Sequence, residues 1–263
     1  MQFVSLPEAI HWIEDGATLA ISGNMDMSPM ALIREVIRSA KHDLALLCAG
    51  AAAVNADLLI GSGAVRSVEF SQISMGEYGF APHFRRRFEQ GSIEGWEHAC
   101  PTLAAALQAG AMGIPFIPVR GLIGTDYMRI RSDFLQITNP YDEKEQLAIV
   151  PAIRPDVALF HAYKADTSGN VLAHPAHNNR LLAQASRHTI VSVEEIVSPD
   201  ELRMEKGSLI PSVYITAIVH QPSGARPTAC PGYYSVDGGH IQMYLDASRS
   251  EEQFNLYLQE NVL

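Results

Sequence analysis

ATLAISGNMDMSPMALIREVIRSA, residues 17–40, is the stretch that decides the fold. Its first part, ATLAIS, is an apolar run of strand length, and a short loop connects it to a segment with helical periodicity. Ser28 can cap the helix, and Pro29 suits its first turn. The stretch therefore predicts a strand, a loop and a helix in succession. Five residues give the helix an apolar face: Leu32, Ile33, Val36, Ile37 and Ala40.

The same alternation continues along the chain. Before this stretch, Ser5 and Glu8 have the spacing of a capping box, and Gly16 ends the helix that they begin. Continuous apolar strands between helices are typical of a parallel sheet that is covered on both faces. We therefore predict an α/β fold with a mostly parallel, open sheet covered by helices. The apolar runs of strand length are LALLCAG, VRSVEFSQI, FIPVR, DVALFHAY, HTIVSVEEIV and VYITAIVHQ.

The chain is expected to form one domain, residues 1–263. The sequence contains no internal repeat, no low-complexity tract and no Gly/Ser-rich or Pro-rich linker. Two turn-rich stretches, residues 123–146 and 220–240, are predicted to be long loops. Loops of that length in a compact domain usually serve a function or an interface, so both could reach a substrate or a partner.

Composition and charge exclude several classes of protein. The 263 residues are 47% hydrophobic and 18% charged, which suits a globular chain with a sizeable core. A formal net charge of −10 would repel a nucleic-acid backbone over most of the surface, so no nucleic acid is expected. No window is apolar for long enough to span a membrane, so we expect no membrane partner. Three widely spaced cysteines and an N-terminus without a signal-peptide pattern predict a reduced, cytoplasmic protein.

Three histidines close together in the sequence raise the question of a metal site. His161, His174 and His177 do not match a zinc-binding spacing, and no cysteine or paired carboxylate motif completes a set of ligands. We therefore predict no metal. The glycines also form neither a phosphate-binding loop nor a dinucleotide-binding fingerprint.

The loop SGNMDMSP, residues 22–29, joins a strand end to a helix N-terminus. Open α/β sheets present ligands at this position, so Gly23, Asn24, Met25 and Asp26 are predicted to border a pocket. The alternative is an ordinary turn between a strand and a helix.

The stretch GWEHACPT, residues 95–102, combines a glutamate, a histidine and a cysteine. Neighbouring residues of a regular element do not face each other, so a local Cys-His dyad is geometrically poor. Pro101 favours a helix start, which makes Cys100 structural. Glu97 lies just before that start, where free backbone N–H groups can hold it as a cap, or where it acts in catalysis beside Trp96. The residues alone favour the cap over catalysis.

Four ordered blocks of sequence carry a resemblance to a known family: SPMALIREVIR, LQAGAMGIPFIPVRGLIGTD, RPDVALFHAYKADTSGNV and PSGARPTACPGYYSVD. With these blocks the chain resembles the alpha (A) subunits of class I CoA transferases of the glutaconate CoA-transferase type. The resemblance covers nearly the whole chain and implies the α/β fold that is also seen in sugar-phosphate isomerases. It further implies a subunit of a catabolic enzyme with an acyl-CoA thioester as substrate and no permanently bound cofactor.

The resemblance implies that this chain is half of an enzyme. The family's nucleophilic glutamate usually lies on the beta subunit, and no Glu-Asn-Gly type stretch occurs here, so we expect a beta-subunit partner in a heterodimer or heterotetramer. In the implied reaction a carboxylate attacks the acyl-CoA, and a glutamyl-CoA thioester then passes CoA to a second acid. This chain would supply the acyl pocket around the 22–29 loop and around Ser74, Met75 and Gly76, which follow another strand. An ordinary turn is the alternative for this second loop as well.

The first loop departs from the family pattern at its tip, where Ser22-Gly23-Asn24 replaces a sequence such as Gly-Gly-Phe. A polar asparagine with Asp26 behind it suggests a substrate with polar groups or an altered chemistry. Some relatives are hydrolases that open a ring in a CoA ester, as in steroid degradation, and they use an alpha-subunit glutamate as the base. Glu97 matches that position, so it is the catalytic candidate, in a transferase or in such a hydrolase. A non-catalytic scaffold subunit is the third alternative.

Two arginines are candidates for anion binding. Arg120, at the end of FIPVR, and Arg129 could bind the CoA phosphates or a substrate carboxylate. The alternative for both is a position at the solvated surface or at a subunit interface. The run of arginines at 85–87 is predicted to lie on a helix surface.

Overall fold

The structure, a computed structural model that describes residues 1–263, is organised around one large sheet. No helix is both long enough and apolar enough to cross a membrane. The strands are β1 (Gln2–Phe3), β2 (Thr18–Ile21), β3 (Leu44–Cys48), β4 (Ala51–Ala52), β5 (Val65–Phe70), β6 (Gln72–Ile73), β7 (Glu94–Glu97), β8 (Phe116–Val119), β9 (Leu135–Asn139), β10 (Asp142–Pro151), β11 (Val157–Asp166), β12 (Val171–Ala173), β13 (His188–Val197), β14 (Ser208–Ile210) and β15 (Ala217–His220). The helices are α1 (Leu6–Ala9), α2 (Met30–Arg38), α3 (Val54–Gly61), α4 (Pro82–Glu89), α5 (Cys100–Met112), α6 (Tyr127–Ile130), α7 (Asn179–Ala185), α8 (Pro199–Met204), α9 (Gly238–Ala247) and α10 (Glu251–Asn261).

The order of the strands reverses in the middle of the large sheet. Across the sheet the order is β1-β15-β13-β11-β2-β3-β5-β7, and every neighbouring pair in this path is parallel. β12 pairs antiparallel with β11, and β14 pairs antiparallel with β12. From β2 the chain builds one half through β3, β5 and β7, and it then returns to place β11 on the other side of β2. The predicted mostly parallel α/β sheet is confirmed, and its strand order reverses between β2 and β11.

Apolar layers cover both faces of the sheet, because successive side chains of a strand point to opposite sides. One layer contains Leu19 and Leu46 and includes buried residues of α2, α3, α9 and α10. The other contains Ala20 and Leu47 and includes buried residues of α5 and α7. Removal of this apolar surface from water on both sides of the sheet is the main force that stabilises the fold.

Residues 123–146 do not form a long loop, contrary to the sequence prediction. They contain α6, β9 and the start of β10, and β9 and β10 pair antiparallel across a turn at Pro140 and Tyr141. β8, which contains most of FIPVR, pairs with β10 in this separate three-stranded sheet and does not join the large parallel one. The prediction was wrong because β9 and the first half of β10 are largely exposed and polar, so they lack the apolar run of a buried strand. Residues 221–237, in contrast, contain no helix or strand, as predicted.

The predicted cap at the start of α1 is confirmed, whereas the predicted cap at the start of α2 is wrong. The backbone N–H of Ser5 donates to Glu8 Oε2 at 2.9 Å, and Ser5 Oγ donates to the same oxygen at 2.7 Å, as in the predicted capping box. In α2 the N-cap is Pro29, and Ser28 Oγ instead donates to the carbonyl of Asn24 at 2.7 Å. Ser28 therefore closes the preceding loop and does not cap the helix.

A buried carboxyl group connects three of the helices. Asp57 of α3 is fully buried, and its Oδ1 accepts a hydrogen bond from the backbone N–H of Phe84 in α4 at 2.7 Å. Its Oδ2 accepts a hydrogen bond from Tyr244 Oη in α9 at 2.6 Å. Burial raises the pKa of Asp57 from 3.8 to about 6, although both hydrogen bonds act in the opposite direction. The folded chain therefore keeps this proton at pH values at which the unfolded chain has lost it.

We predict that Asp57 makes the fold less stable as the pH rises from about 4 to about 7. Because the folded pKa is the higher one, the stabilising contribution is complete below the unfolded pKa and is lost as the pH rises through the folded pKa. Asp57→Asn cannot titrate. The free energy of unfolding of the wild type, minus that of Asp57→Asn, should therefore fall by on the order of 1–3 kcal/mol across this range. Denaturant unfolding of both proteins at several pH values measures this difference, and a difference that is constant or that grows with pH contradicts the prediction.

Candidate functional site

A cavity of about 330 Å³ lies at the carboxyl ends of the central strands. Its walls come from the loop that follows β2, from residues 49–51 after β3, and from residues 174–178 after β12. Open α/β sheets bind ligands at the carboxyl ends of their strands where the strand order reverses, which here is between β2 and β11. The cavity therefore has the position and the size of a site for a small molecule.

The loop that follows β2 has a fixed conformation. Gly23 has a φ of +96°, and a Cβ at this position would lie 2.6 Å from the carbonyl oxygen of Met27, so only glycine fits. Asn55 is fully buried, and its Nδ2 donates to the carbonyl of Gly23 at 2.6 Å. The backbone N–H of Met27 donates to the carbonyl of Ala229 at 2.7 Å, which ties the loop to the 221–237 segment. The loop is thus held from both sides.

A carboxylate and two imidazoles meet in the wall of the cavity. His177 Nε2 lies 3.1 Å from Asp26 Oδ1, and the centres of the His174 and His177 rings are 4.8 Å apart. The contact with His177 lowers the pKa of Asp26, so this carboxylate is ionised at neutral pH. Burial lowers the pKa of His174, so this imidazole is neutral under the same conditions. The wall is therefore polar and holds one fixed negative charge.

The sequence analysis considered these histidines only as metal ligands and missed their place in the cavity. His174 and His177 follow β12, whereas Asp26 follows β2, so the contact joins two distant parts of the chain. No local motif indicates such a contact. The available signal was the position of both segments after strands that lie in one sheet.

Three of the four residues predicted in the first loop line the cavity. Gly23, Asn24 and Asp26 are part of its wall. Met25 is not, because its side chain packs against the large apolar core. The loop is therefore more than a connection between β2 and α2, while the binding role of each residue stays a prediction.

The second predicted loop, Ser74, Met75 and Gly76, lies beside the first but outside the cavity wall. Met75 is fully buried in the large core, and a Cβ at Gly76 would lie 3.6 Å from Cγ of Met25. The sequence analysis placed this loop at the pocket because it follows a strand. That strand, β6, belongs to a separate two-stranded sheet with β4 and not to the large sheet, so the loop does not follow one of the strands that carry the cavity. A role for these residues in substrate binding stays a prediction.

Glu97 is the last residue of β7. Like the cavity, it therefore lies at the carboxyl ends of the parallel strands, but it is not part of the cavity wall. Its Oε1 accepts a hydrogen bond of 3.4 Å from Tyr127 Oη, and its backbone carbonyl accepts one of 3.1 Å from Arg131. No N–H group of α5 binds the carboxylate, because the helix begins only at Cys100, with Ala99 at the N-cap. The capping role is therefore wrong, and the half-buried carboxylate has a single hydrogen bond. Its catalytic role stays a prediction.

A polar network surrounds the end of β7, and it contains His98, for which the sequence predicts no catalytic role, together with residues that the sequence does not single out. His98 is buried, and its Nε2 pairs with the carboxylate of Glu69. Arg131 is only 3% exposed and donates to Glu69 at 3.1 Å and to Asp133 at 2.8 Å. These contacts fix the end of β7 and with it the position of Glu97. Glu69 is far from both His98 and Arg131 in the sequence, so no spacing indicates its two contacts.

Neither predicted arginine lies at the cavity. Arg120 is exposed and pairs with Glu145 of the small sheet, which lowers the pKa of Glu145 to about 2. Arg129 is exposed and pairs with Asp126. The binding of CoA phosphates or a carboxylate by Arg120 stays a prediction.

A buried polar cluster brings His161, Glu194 and Cys230 together, with donor atoms within 4.8 Å of one another. These groups already have partners: His161 Nε2 lies 2.9 Å from Glu194 Oε1, and the backbone N–H of Ser223 donates to Glu194 Oε2 at 2.7 Å. Burial raises the pKa of Cys230 to about 12, so the thiol keeps its proton at neutral pH. We interpret the cluster as a hydrogen-bonded core that holds the 221–237 segment against β11 and β13.

Similarity to known proteins identifies the family. The family model for Coenzyme A transferase matches residues 3–221. The alpha (A) chain of 3-oxoadipate CoA-transferase from Pseudomonas knackmussii is 35% identical over 99% of this chain and 93% of its own length. The cholesterol ring-cleaving hydrolase IpdA subunit of Mycobacterium tuberculosis is 30% identical over 94% of this chain and 88% of its own length. The crystal structure of glutaconate coenzyme A-transferase from Acidaminococcus fermentans matches with a TM-score of 0.92 and 29% identity, over 100% of this chain and 89% of that one. The chain belongs to the coenzyme A transferase family.

Proposed function

We propose that this chain is the alpha (A) subunit of a heteromeric CoA transferase, which moves coenzyme A from an acyl-CoA thioester to a free carboxylic acid. The observation that carries the proposal is the rigid, polar cavity at the reversal of strand order, in a chain that is similar over nearly its whole length to alpha (A) subunits of CoA transferases. The chain acts as one domain, residues 1–263, and holds no permanent cofactor. Its three cysteines are unpaired, which suits a reducing, cytoplasmic location.

The partner is a beta subunit, in a heterodimer or heterotetramer, that supplies the nucleophilic glutamate. Its carboxylate attacks the thioester carbonyl, the C–S bond breaks, and CoA leaves as a thiolate while an acyl-glutamyl anhydride forms. The thiolate then attacks the glutamyl carbonyl, which forms a glutamyl-CoA thioester and releases the first acid. The second acid reverses these steps, takes up the CoA and restores the glutamate.

This chain binds the acyl part of the substrate and stabilises the oxygen that becomes negative. Gly23 lines the cavity, and its backbone N–H donates to no acceptor within the chain. A fixed N–H group of this kind stabilises the charge that develops on a carbonyl oxygen when a nucleophile attacks. Because Asn55 holds the Gly23 carbonyl, the donor needs no rearrangement during the reaction. Asn24 and Asp26 contact the polar part of the acyl group.

Glu97 lies at the carboxyl end of β7 and orients the substrate or a water molecule there. Its carboxylate is half-buried and accepts one hydrogen bond, from Tyr127, so it has unused acceptor capacity. A second candidate function uses this carboxylate as the general base of a hydrolase that opens a ring in a CoA ester. The 30% identity with the hydrolase subunit supports that alternative, whereas the 35% identity with the 3-oxoadipate CoA-transferase subunit supports the transferase. Water then replaces the acceptor acid.

Dependence on an acceptor acid tests the proposed function. The chain, purified together with its beta subunit, should consume acyl-CoA only when a second carboxylic acid is present, because the glutamyl-CoA intermediate must pass its CoA on. With acyl-CoA alone, mass spectrometry of the intact proteins should detect CoA on the beta subunit, with none on this chain. If the complex consumed acyl-CoA at the same rate without an acceptor acid, this result would contradict the proposed transferase function and support the hydrolase function.

Replacement of Glu97 separates its two roles. In the transferase, Glu97→Gln keeps the shape and should lower kcat by about tenfold or less, since the reacting carboxylate lies on the partner. In the hydrolase the same change removes the base and should lower kcat by about 100-fold or more. Glu94→Gln is the matched control, because Glu94 lies on the same strand, is exposed and is remote from the strand end. Equal losses in both variants would mean that the effect is not specific to Glu97.

A further inference from the structure

The residues that line the cavity include no lysine and no arginine. The wall contains one carboxylate, two histidines, two asparagines and a serine, and its remaining members are glycine and alanine. Proteins commonly bind a carboxylate with the fixed positive charge and paired donors of an arginine. The part of the acyl-binding site that this chain supplies therefore lacks the group that a second carboxylate on the acyl chain would need.

The fixed charge in the cavity is negative and belongs to Asp26. His177 Nε2 lies 3.1 Å from Asp26 Oδ1, which is shielded from solvent, while the side chain as a whole is 29% exposed. This contact lowers the pKa of Asp26, so the carboxylate stays ionised. His177 Nε2 already faces this carboxylate. An anion in the cavity thus meets a carboxylate without a free cation to offset it.

The position of Asp26 is fixed by its backbone as well as by His177. Asn24 Oδ1 accepts a hydrogen bond from the backbone N–H of Asp26 at 3.1 Å, and the N–H of Asn24 donates to the carbonyl of Asp26 at 3.0 Å. The neighbouring N–H of Met27 donates to Ala229 at 2.7 Å. A carboxylate held in this way selects between ligands, because it cannot turn away from an unfavourable one.

A ligand that donates hydrogen bonds is complementary to this wall of the cavity. An ionised carboxylate is an acceptor only, whereas a hydroxyl group both donates and accepts. Asn24 uses its side-chain oxygen on Asp26 and leaves its NH2 group as a donor. A hydroxyl on the acyl chain can therefore donate to Asp26 and accept from Asn24, and the two contacts satisfy both of its hydrogen-bonding functions.

We propose that the acyl group handled by this enzyme carries a hydroxyl group, which donates to Asp26, and that Asp26 rejects acids with a second carboxylate. The proposal rests on the proposed CoA-transferase function and adds the substrate class. Asp26 is the specificity-determining residue. His177 is a positioning residue, which acts by holding Asp26 in place.

Transfer from acetyl-CoA to a matched set of acceptor acids tests the proposal with the purified complex of this chain and its beta subunit. The acids are butyrate, 3-hydroxybutyrate, 4-hydroxybutyrate and succinate, and butyrate is the reference. For one of the hydroxy acids kcat/KM should exceed that of butyrate by about tenfold or more, as for a hydrogen bond to a charged group. For succinate it should fall below that of butyrate by a similar factor. A preference for succinate, or equal values for all four acids, overturns the proposal.

Asp26→Asn separates a specific role from a structural one. Relative to butyrate, the variant should lose most of the preference for the hydroxy acid and should accept succinate about tenfold better, because it keeps the shape and loses the charge. A structural defect would lower both values together and would overturn the assignment of Asp26. His177→Gln should weaken the preference for the hydroxy acid, since the contact of 3.1 Å that holds Asp26 Oδ1 is then lost.

The matched control is Asp15→Asn. Asp15 also lies beside a histidine, with its Oδ2 3.3 Å from His42 Nε2, but this pair is exposed at the opposite end of the strands. The control should retain the selectivity of the wild type. A complex that moves CoA to none of the acids overturns the proposed function and this proposal with it, whereas transfer without a hydroxyl preference overturns this proposal alone. A preference for 4-aminobutyrate over the hydroxy acids would also overturn it, because Asp26 would then select an ammonium group.

Discussion

The pairing of β2 with β11 is the contact on which the rest of the structure depends. At this pair the chain changes the direction in which it adds strands, and the cavity lies at this end of the sheet, between the loops that follow β2 and β3 and residues 174–178. The start of the pair is fixed by Asp156, whose Oδ2 accepts a hydrogen bond from the backbone N–H of Thr18 at 3.0 Å. At its end, Ser22 N–H donates to the carbonyl of Leu159 at 3.2 Å, and the cavity begins beyond it. The order of the strands therefore determines where the cavity lies, and the side chains determine the chemistry of its wall.

The loop after β2 forms one wall of this cavity, and its conformation is determined on every side. Gly23 tolerates no side chain, Asn55 occupies its carbonyl, and Ser28 closes the loop onto Asn24. Such rigidity has a cost in conformational freedom that the fully buried contacts with Asn55 offset. The benefit is a backbone N–H at Gly23 and a carboxylate at Asp26 whose positions do not depend on the ligand.

Much of the fold follows from local sequence patterns, whereas the charges of the site do not. The buried strands have continuous apolar runs, and the capping box at Ser5 lies within one turn, so short windows predict them. The hairpin of β9 and β10 was not predicted, because its polar, exposed residues are typical of a loop. Gly23, Asn24 and Asp26 were predicted from their place after a strand. The contact of Asp26 with His177 could not be, since it depends on the pairing of distant strands and on the turn after β12.

Two chemically distinct regions lie at the carboxyl ends of the strands of the large sheet. The cavity carries the ionised Asp26, whereas Glu97 lies outside it at the end of β7, where Arg131 holds its backbone. A substrate that spans both would place its acyl group in the cavity. The most direct test is a crystal structure of the complex between this chain and its beta subunit, with an unreactive acyl-CoA analogue bound. The account predicts the acyl group between the Gly23 loop and residues 174–178. An acyl group bound instead in the separate cavity of about 320 Å³ beside Glu69 and Trp96 would contradict it.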